Sequence, residues 1–259
     1  MPIAHINQTE IFFVAEGNPE HPAIIFSNSL GTDHGMWQAQ AEALANDFYV
    51  IRYDTRGHGR SSSPKGPYQL QELGQDVIAL LDFLGIAKAH FCGLSMGGVT
   101  GQWLGIHASE RIEKLVVANT AAKVGTTDGW LTRAEVVRAE GLNTIADSAA
   151  SRWFSPAFIE TQAPVIAALI ANLRIQNTEG YASCCESLAA ADLRDQIALI
   201  SSPTLIIAGL YDPVTTTSDA SLLQEKIKDS KLAALPAAHI SNIEAQKLFT
   251  RTLIDFLVA

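Results

Sequence analysis

The chain has 259 residues, enough for one large α/β domain with an insertion and a sizeable buried core. At 47% hydrophobic and 17% charged residues, its composition is that of a globular chain and excludes disorder. Eighteen Lys and Arg against 27 Asp and Glu give a net charge of −9 with no basic run, which argues against a nucleic-acid partner.

The first assigned element is the continuously apolar run 23–27 (AIIFS), a buried strand. A helical stretch follows over 35–47, and 48–54 (FYVIRYD) reads as a strand running into a polar loop. Between Gln69 and Leu84 the residues Leu70, Leu73, Val77, Leu80, Leu81 and Leu84 recur on one helical face. A short strand over 89–93, a helix over 96–107 and a buried strand over 114–120 come next. Strands apolar on both faces, alternating with helices, predict a mostly parallel sheet covered on both sides.

The rhythm breaks near residue 121. From there to about 190 no convincing strand occurs, and alanine-rich helical segments are separated by Gly125, Gly129, Gly141, Pro156, Pro164 and Gly180. Strands resume at 203–209 and 231–236, and a last helix is expected from Asn242 to Val258. This divides the chain into a core of residues 1–120 and 190–259 and a helical cap insertion of 121–189.

The start, MPIAHINQTE, lacks the basic and apolar regions of a signal peptide. No uncharged apolar run approaches the roughly 20 residues that span a bilayer, so no membrane partner is expected. Cys92, Cys184 and Cys185 make a poor disulfide framework, and there is no CxxC pair. A reducing cytoplasm is the expected location.

Gly93-Leu94-Ser95-Met96-Gly97 matches G-x-S-x-G between a strand and a helix. A tight turn there requires small neighbours, and it lifts the serine Oγ above the sheet. The helix beginning beside it offers free N–H groups to a developing oxyanion. A serine needs a base to take its proton. Of seven histidines only His239 follows the late strands, in the loop before the last helix. His107 is roughly 18 Å from Ser95 along one helix. The other five read as surface or loop residues, with His34 and His58 in loops that could border a pocket. Asp212 ends the run 204–212 at the C-terminal edge of a strand, where open α/β sheets place their chemistry. The order Ser95, Asp212, His239 is that of an α/β-hydrolase. The backbone N–H groups of Met96 and Leu30 are the expected oxyanion donors. Leu30 lies in 27–37 (SNSLGTDHGMW), where many such enzymes carry His-Gly.

With these residues in place, the chain resembles the 3-oxoadipate enol-lactonases, β-ketoadipate enol-lactone hydrolases of bacterial aromatic catabolism. The resemblance covers nearly the whole chain. It is carried by 27–37, 51–62 (IRYDTRGHGRSS), 92–104 (CGLSMGGVTGQWL), 152–156 (RWFSP), 184–194 (CCESLAAADLR) and 236–244 (PAAHISNIE). It implies a small anionic substrate, an enol lactone bearing a carboxylate, and a reaction that uses no metal and no organic cofactor. An anionic substrate on an acidic protein needs a local cation. The insertion offers Arg133, Arg138, Arg152 and Arg174. Arg133 is favoured as the carboxylate clamp, with Trp130 or Trp153 walling the pocket. Asp54 and Arg56 read as organisers of the loop after a strand, and Cys184 and Cys185 as packing. Two other readings remain open: another carboxylesterase or carbon–carbon bond hydrolase on this scaffold, and a silent ligand receptor, which an intact Ser95, Asp212 and His239 disfavours. The sequence does not specify an oligomeric state.

Overall fold

A computed structural model describes residues 2–259. Eight strands form one sheet: β1 (Ile3–Ile6), β2 (Thr9–Glu16), β3 (Ala23–Ser27), β4 (Tyr49–Tyr53), β5 (Ala89–Leu94), β6 (Ile112–Ala118), β7 (Thr204–Gly209) and β8 (Lys231–Leu235). Their order across the sheet is β1-β2-β4-β3-β5-β6-β7-β8. Strands β3 to β8 pair in parallel, while β2 is antiparallel to β1 and β4. This is the α/β-hydrolase arrangement, with helices on both faces.

The central strands are apolar on both faces because both are covered. β3, β5 and β7 are buried along their whole length. Helix α1 (Gln38–Leu44) packs on α12 (Gln246–Val258), and α2 (Leu70–Phe83) packs on α3 (Met96–His107). The fully buried aromatics Phe26, Trp37, Phe91 and Phe249 fill the space between layers. The Phe26 and Trp37 rings lie 4.8 Å apart. Each such side chain contributes about 1.5–3 kcal/mol by leaving water. The α2 face expected from its leucine spacing is the buried one, and Gln69 with Glu72 closes a capping box at its start.

Three local features differ from the sequence expectations. The hairpin β1–β2 was not anticipated. The stretch expected as one helix over 35–47 begins as a 3-10 turn, His34–Trp37, capped by Asp33, before α1. The last helix is interrupted at Ala245, separating α11 (Ser241–Glu244) from α12. Between β6 and β7 lie six helices and no strand: α4 (Thr127–Glu140), α5 (Asn143–Asp147), α6 (Ala149–Trp153), α7 (Pro156–Thr161), α8 (Ala163–Arg174) and α9 (Thr178–Ala190). Helix α10 (Thr217–Lys226) joins β7 to β8. Among the described residues no helix is long and apolar enough to cross a membrane.

The chain passes from β3 to β4 on one side and then returns to place β5 on the other. Such a reversal opens a crevice at the C-terminal ends of the two neighbouring strands. Ser27, the last residue of β3, pairs with Gly93 near the end of β5. The loops carrying Leu30 and Ser95 therefore leave the sheet side by side.

Candidate active site

Ser95 joins β5 to α3 with φ 57° and ψ −114°. A non-glycine residue held there is strained by about 1–3 kcal/mol, and its surroundings must enforce the conformation. They do so by contact. A Cβ at position 93 would lie 2.1 Å from the Gly97 carbonyl oxygen, and one at position 97 would lie 2.3 Å from that of Ser27. Only glycine allows the turn to close this tightly.

His239 lies in the loop between β8 and α11, and its Nε2 is 2.9 Å from Ser95 Oγ. Its Nδ1 is 2.8 Å from Asp212 Oδ2. Asp212 follows β7. Its Oδ2 also accepts from Asn119 Nδ2 at 3.0 Å and Thr215 Oγ1 at 2.8 Å, and its Oδ1 accepts from the Val214 and Thr215 backbone. Burial alone would raise the Asp212 pKa. The His239 contact and these donors outweigh burial and hold the carboxyl below the ordinary carboxylate range. The structure thus brings together the three residues chosen from the sequence, each from the C-terminal end of a different strand.

Asn119, just after β6, was not singled out. It sits at φ 44° and bridges Asp212 to the Ala238 carbonyl, 3.0 Å away, so it ties the acid to the histidine loop. The signal available in the sequence was its place directly after the run KLVVA (114–118).

The Gly97 N–H donates to the Asn28 carbonyl at 3.0 Å, stitching the start of α3 to the loop after β3. Among the described residues, the Leu30 and Met96 N–H groups have no acceptor within the protein. Gly31 sits at φ 81°, where glycine is favoured, and a Cβ there would have to displace Leu173 Cδ1, 2.6 Å away. Its N–H donates to His58 Nε2 at 2.9 Å.

The expectation that the five upstream histidines are surface or loop residues fails for His90, while His58 lies in a loop as expected, but buried. His90 lies inside β5 and is buried against the edge of the Phe48 ring. His58 is also buried, and burial lowers its pKa to about 4, against the opposing pull of the Arg56 carbonyl and of Asp54 and Asp33. The unfolded chain therefore takes up a proton near the ordinary value of about 6.5 that the folded chain refuses. Stability from this group is complete above that pH and falls as the pH drops toward 4. By pH 5 the loss should reach about 2 kcal/mol. Urea unfolding of His58→Gln at pH 7 and pH 5 should show a smaller acid loss than wild type. An equal loss in both proteins would place the acid sensitivity elsewhere.

Asp33, His34 and Asp54 bring ligand-type atoms within 4.8 Å of one another, a grouping that sequence spacing did not suggest. Those atoms bond within the protein. Asp54 accepts from His34 Nδ1 at 2.7 Å and from the His34 and Arg60 backbone. Asp33 accepts from the Gly35 backbone and from Asn172. Arg56 is held by Asp76 and Glu72 on α2. These residues brace the loop after β4, as the sequence reading has it.

A cavity of about 320 Å³ opens over Ser95 and His239. Ser29 and Leu30 form part of its floor side, and Trp130, Trp153, Leu173, Tyr181 and Val214 supply apolar walls. Arg133 and Arg152 both line it, and no carboxylate does. Arg133 stacks on Trp130 at 4.8 Å. Arg152 donates to Ser148 Oγ and the Ile145 carbonyl. Burial, and then the charge of Arg133, lower the Arg152 pKa. The other two candidates lie elsewhere: Arg138 is clamped by Glu179 and Glu186, and Arg174 pairs with Asp147. Cys184 and Cys185 are buried on α9, and desolvation raises both thiols, which disfavours thiolate chemistry.

The family profile described as alpha/beta hydrolase fold matches residues 22–246. The chain is 50% identical to 3-oxoadipate enol-lactonase 2 of Acinetobacter baylyi over 259 residues, covering 98% of this chain and 97% of that one. It is 47% identical to 3-oxoadipate enol-lactonase 1 of the same organism over 251 residues, covering 96% and 94%. Among solved structures, the enol-lactonase from Burkholderia xenovorans LB400 superposes with a TM-score of 0.98 at 43% identity, covering all of both chains. The match over most of the chain, together with the sheet order and the strand-end placement of Ser95, Asp212 and His239, means that this chain belongs to the alpha/beta hydrolase fold family.

Proposed function

We propose that this chain is a serine hydrolase that opens the lactone ring of 3-oxoadipate enol-lactone to give 3-oxoadipate, within the catabolism of aromatic compounds. The observation that carries this reading is a pair of arginines, with no carboxylate beside them, in the cavity above Ser95 and His239. An acidic protein that keeps two cations in the cleft over Ser95 and His239 is suited to an anionic substrate. The enol-lactonase relatives, similar over the full chain, supply the substrate class.

The chemistry runs through the chain's own groups. His239 Nε2 takes the proton of Ser95 Oγ, which attacks the lactone carbonyl. The Leu30 and Met96 N–H groups hold the oxyanion, and Asp212 stabilises the imidazolium. Collapse expels the ring oxygen as an enolate, which recovers the proton from His239. The enol, still part of the acyl chain on Ser95, becomes a ketone, which draws the reaction forward. Water, deprotonated by His239, then hydrolyses the acyl-enzyme. Residues 121–189 act as a cap over the core of 1–120 and 190–259, supplying Arg133, Arg152, Trp130 and Trp153 as substrate contacts.

The test compares kcat/KM for the enol lactone with that for an uncharged aryl ester. Wild type should favour the lactone strongly. Arg133→Met keeps much of the side-chain volume and removes the charge. A charge-assisted contact in a partly desolvated pocket is worth roughly 1.5–3 kcal/mol, so the lactone should lose about tenfold to a hundredfold while the ester loses little. Arg133→Lys should recover part of this, since lysine keeps the charge without the planar fork. Equal losses on both substrates would make Arg133 a support of the cap. Loss on neither, with loss in Arg152→Met, would move the clamp to Arg152. A wild type that prefers the ester would overturn the lactonase reading in favour of a general carboxylesterase.

A further inference from the structure

We propose that His58 is a positioning residue for the oxyanion hole, its neutral Nε2 holding the Gly31 N–H so that the preceding Leu30 N–H faces the cavity. The inference rests on the reading of Leu30 as an oxyanion donor. Its basis is the geometry of two successive peptides, Ser29–Leu30 and Leu30–Gly31. Gly31 N–H meets His58 Nε2 at 2.9 Å. Because Nε2 accepts, the ring proton sits on Nδ1, which faces the Arg56 carbonyl at 3.5 Å and Cys184 Sγ at 3.9 Å. The imidazole is thus held from both sides by the loop after β4 and by α9.

The Ser29–Leu30 peptide, which carries the Leu30 N–H, is held through its carbonyl by Thr32, whose N–H and Oγ1 donate to it at 3.1 and 2.7 Å, and His58 holds the next peptide along. Among the described residues, the Leu30 N–H has no acceptor within the protein. Gly31 is wedged on its other side by Leu173 and Tyr181, which a Cβ would meet at 2.6 and 3.1 Å. The Tyr181 and His58 rings stand 6.2 Å apart. Without the histidine acceptor, the Leu30–Gly31 peptide can rotate about a glycine at φ 81°, and the Leu30 backbone that joins it to the Ser29–Leu30 peptide loses one of its two fixed ends, so the Leu30 N–H is aimed less well.

The groups facing the ring are Asp54, Asp33, the Arg56 carbonyl, Cys184 and Tyr181. The two carboxylates favour the protonated ring. Burial disfavours it more strongly, so the acceptor form persists through the neutral range. A protonated ring would point a donor at the Gly31 donor.

The variants are His58→Leu, which fills the space without an acceptor, and His58→Gln, whose Oε1 can reach the Nε2 position. Removing an oxyanion donor costs about 10²–10³ in kcat, so misaiming one should cost about tenfold to a hundredfold. His58→Leu should lose that factor in kcat with KM nearly unchanged, on the lactone and on 4-nitrophenyl acetate alike. Its affinity for phenylboronic acid, which forms a tetrahedral adduct on a reactive serine, should fall by the same factor. Its affinity for adipate, a ground-state anion, should hold. His58→Gln should recover most of the loss. In the wild type, imidazole ¹⁵N spectra at pH 7 should show a neutral ring protonated at Nδ1. Unchanged kcat in His58→Leu, equal loss of boronate and adipate binding, failure of His58→Gln to recover activity, or a ring protonated at Nε2 would each overturn the inference. If Ser95→Ala remained active, the hydrolase reading itself would fail. An inactive Ser95→Ala beside an unaffected His58→Leu would remove only the positioning role.

Discussion

Ser95→Ala is expected to lose activity on the enol lactone by a factor on the order of 10⁴–10⁶ while keeping its fold. The nucleophile accounts for this size. His239 Nε2 lies 2.9 Å from Ser95 Oγ, and in the variant it has nothing to deprotonate but water. The Leu30 and Met96 N–H groups remain, so a small residual rate over solution should persist. The fold should survive because what enforces the φ 57° turn is glycine packing at Gly93 and Gly97. Alanine at that φ bears the same strain as serine. The measurement is single-turnover hydrolysis beside circular dichroism and a melting curve. A well-folded Ser95→Ala protein with near-wild-type turnover would exclude serine as the nucleophile.

That turn was legible in the sequence because every constraint on it is local: an apolar run, two glycines and a helix start within a few residues. Asp212 and His239 were legible for a related reason, since each stands directly after a buried strand and strand ends set the chemistry of such sheets. His58, Asn119 and the break at Ala245 were not. Each depends on a partner distant in the chain: Gly31 for His58, Asp212 and Ala238 for Asn119. At the helix break, Glu244 turns back to accept from the Ala238 N–H and from Ser155 in the segment between α6 and α7. The same limit applies to the four arginines of the insertion. All four are cations on helical segments in the sequence, and only the packing of α4 on α9 and of α6 on α5 and α8 puts Arg133 and Arg152 in the cavity and Arg138 outside it. The hairpin β1–β2 escaped notice because it lies at the sheet edge, pairs antiparallel, and mixes charged residues with its apolar ones.

His239→Ala should be nearly inactive, and Asp212→Asn should fall by about 10⁴-fold. The two losses have different origins. Removing His239 removes the proposed carrier of the proton from Ser95 Oγ to the leaving oxygen. Asp212→Asn leaves the imidazole in place and changes its tautomer. The carboxylate accepts at Oδ2 from Nδ1–H, which leaves Nε2 free to accept from serine. At the Oδ1 position an amide oxygen finds two donors, the Val214 and Thr215 backbone N–H groups, which favours placing the NH₂ at the Oδ2 position. Its NH₂ then faces Nδ1, which must accept, and the ring proton moves to Nε2 and points at the serine. The sign of the pH dependence follows. Asp212 is held below the ordinary carboxylate range and stays ionised, while the base must be neutral to accept the serine proton, so kcat/KM should fall on the acid side with the slope of one proton. Stability from Asp212 is present above the ordinary carboxylate pKa and is lost only as the pH falls through its lowered value. Activity should therefore decline on acidification before this carboxylate ceases to stabilise the fold. For Asp212→Asn, raising the pH should restore rate, because hydroxide can replace the missing base. An acid limb with the slope of two protons in the wild type would mean that Asp212 titrates together with His239. Activity in Asp212→Asn within tenfold of wild type would mean that another group orients the imidazole.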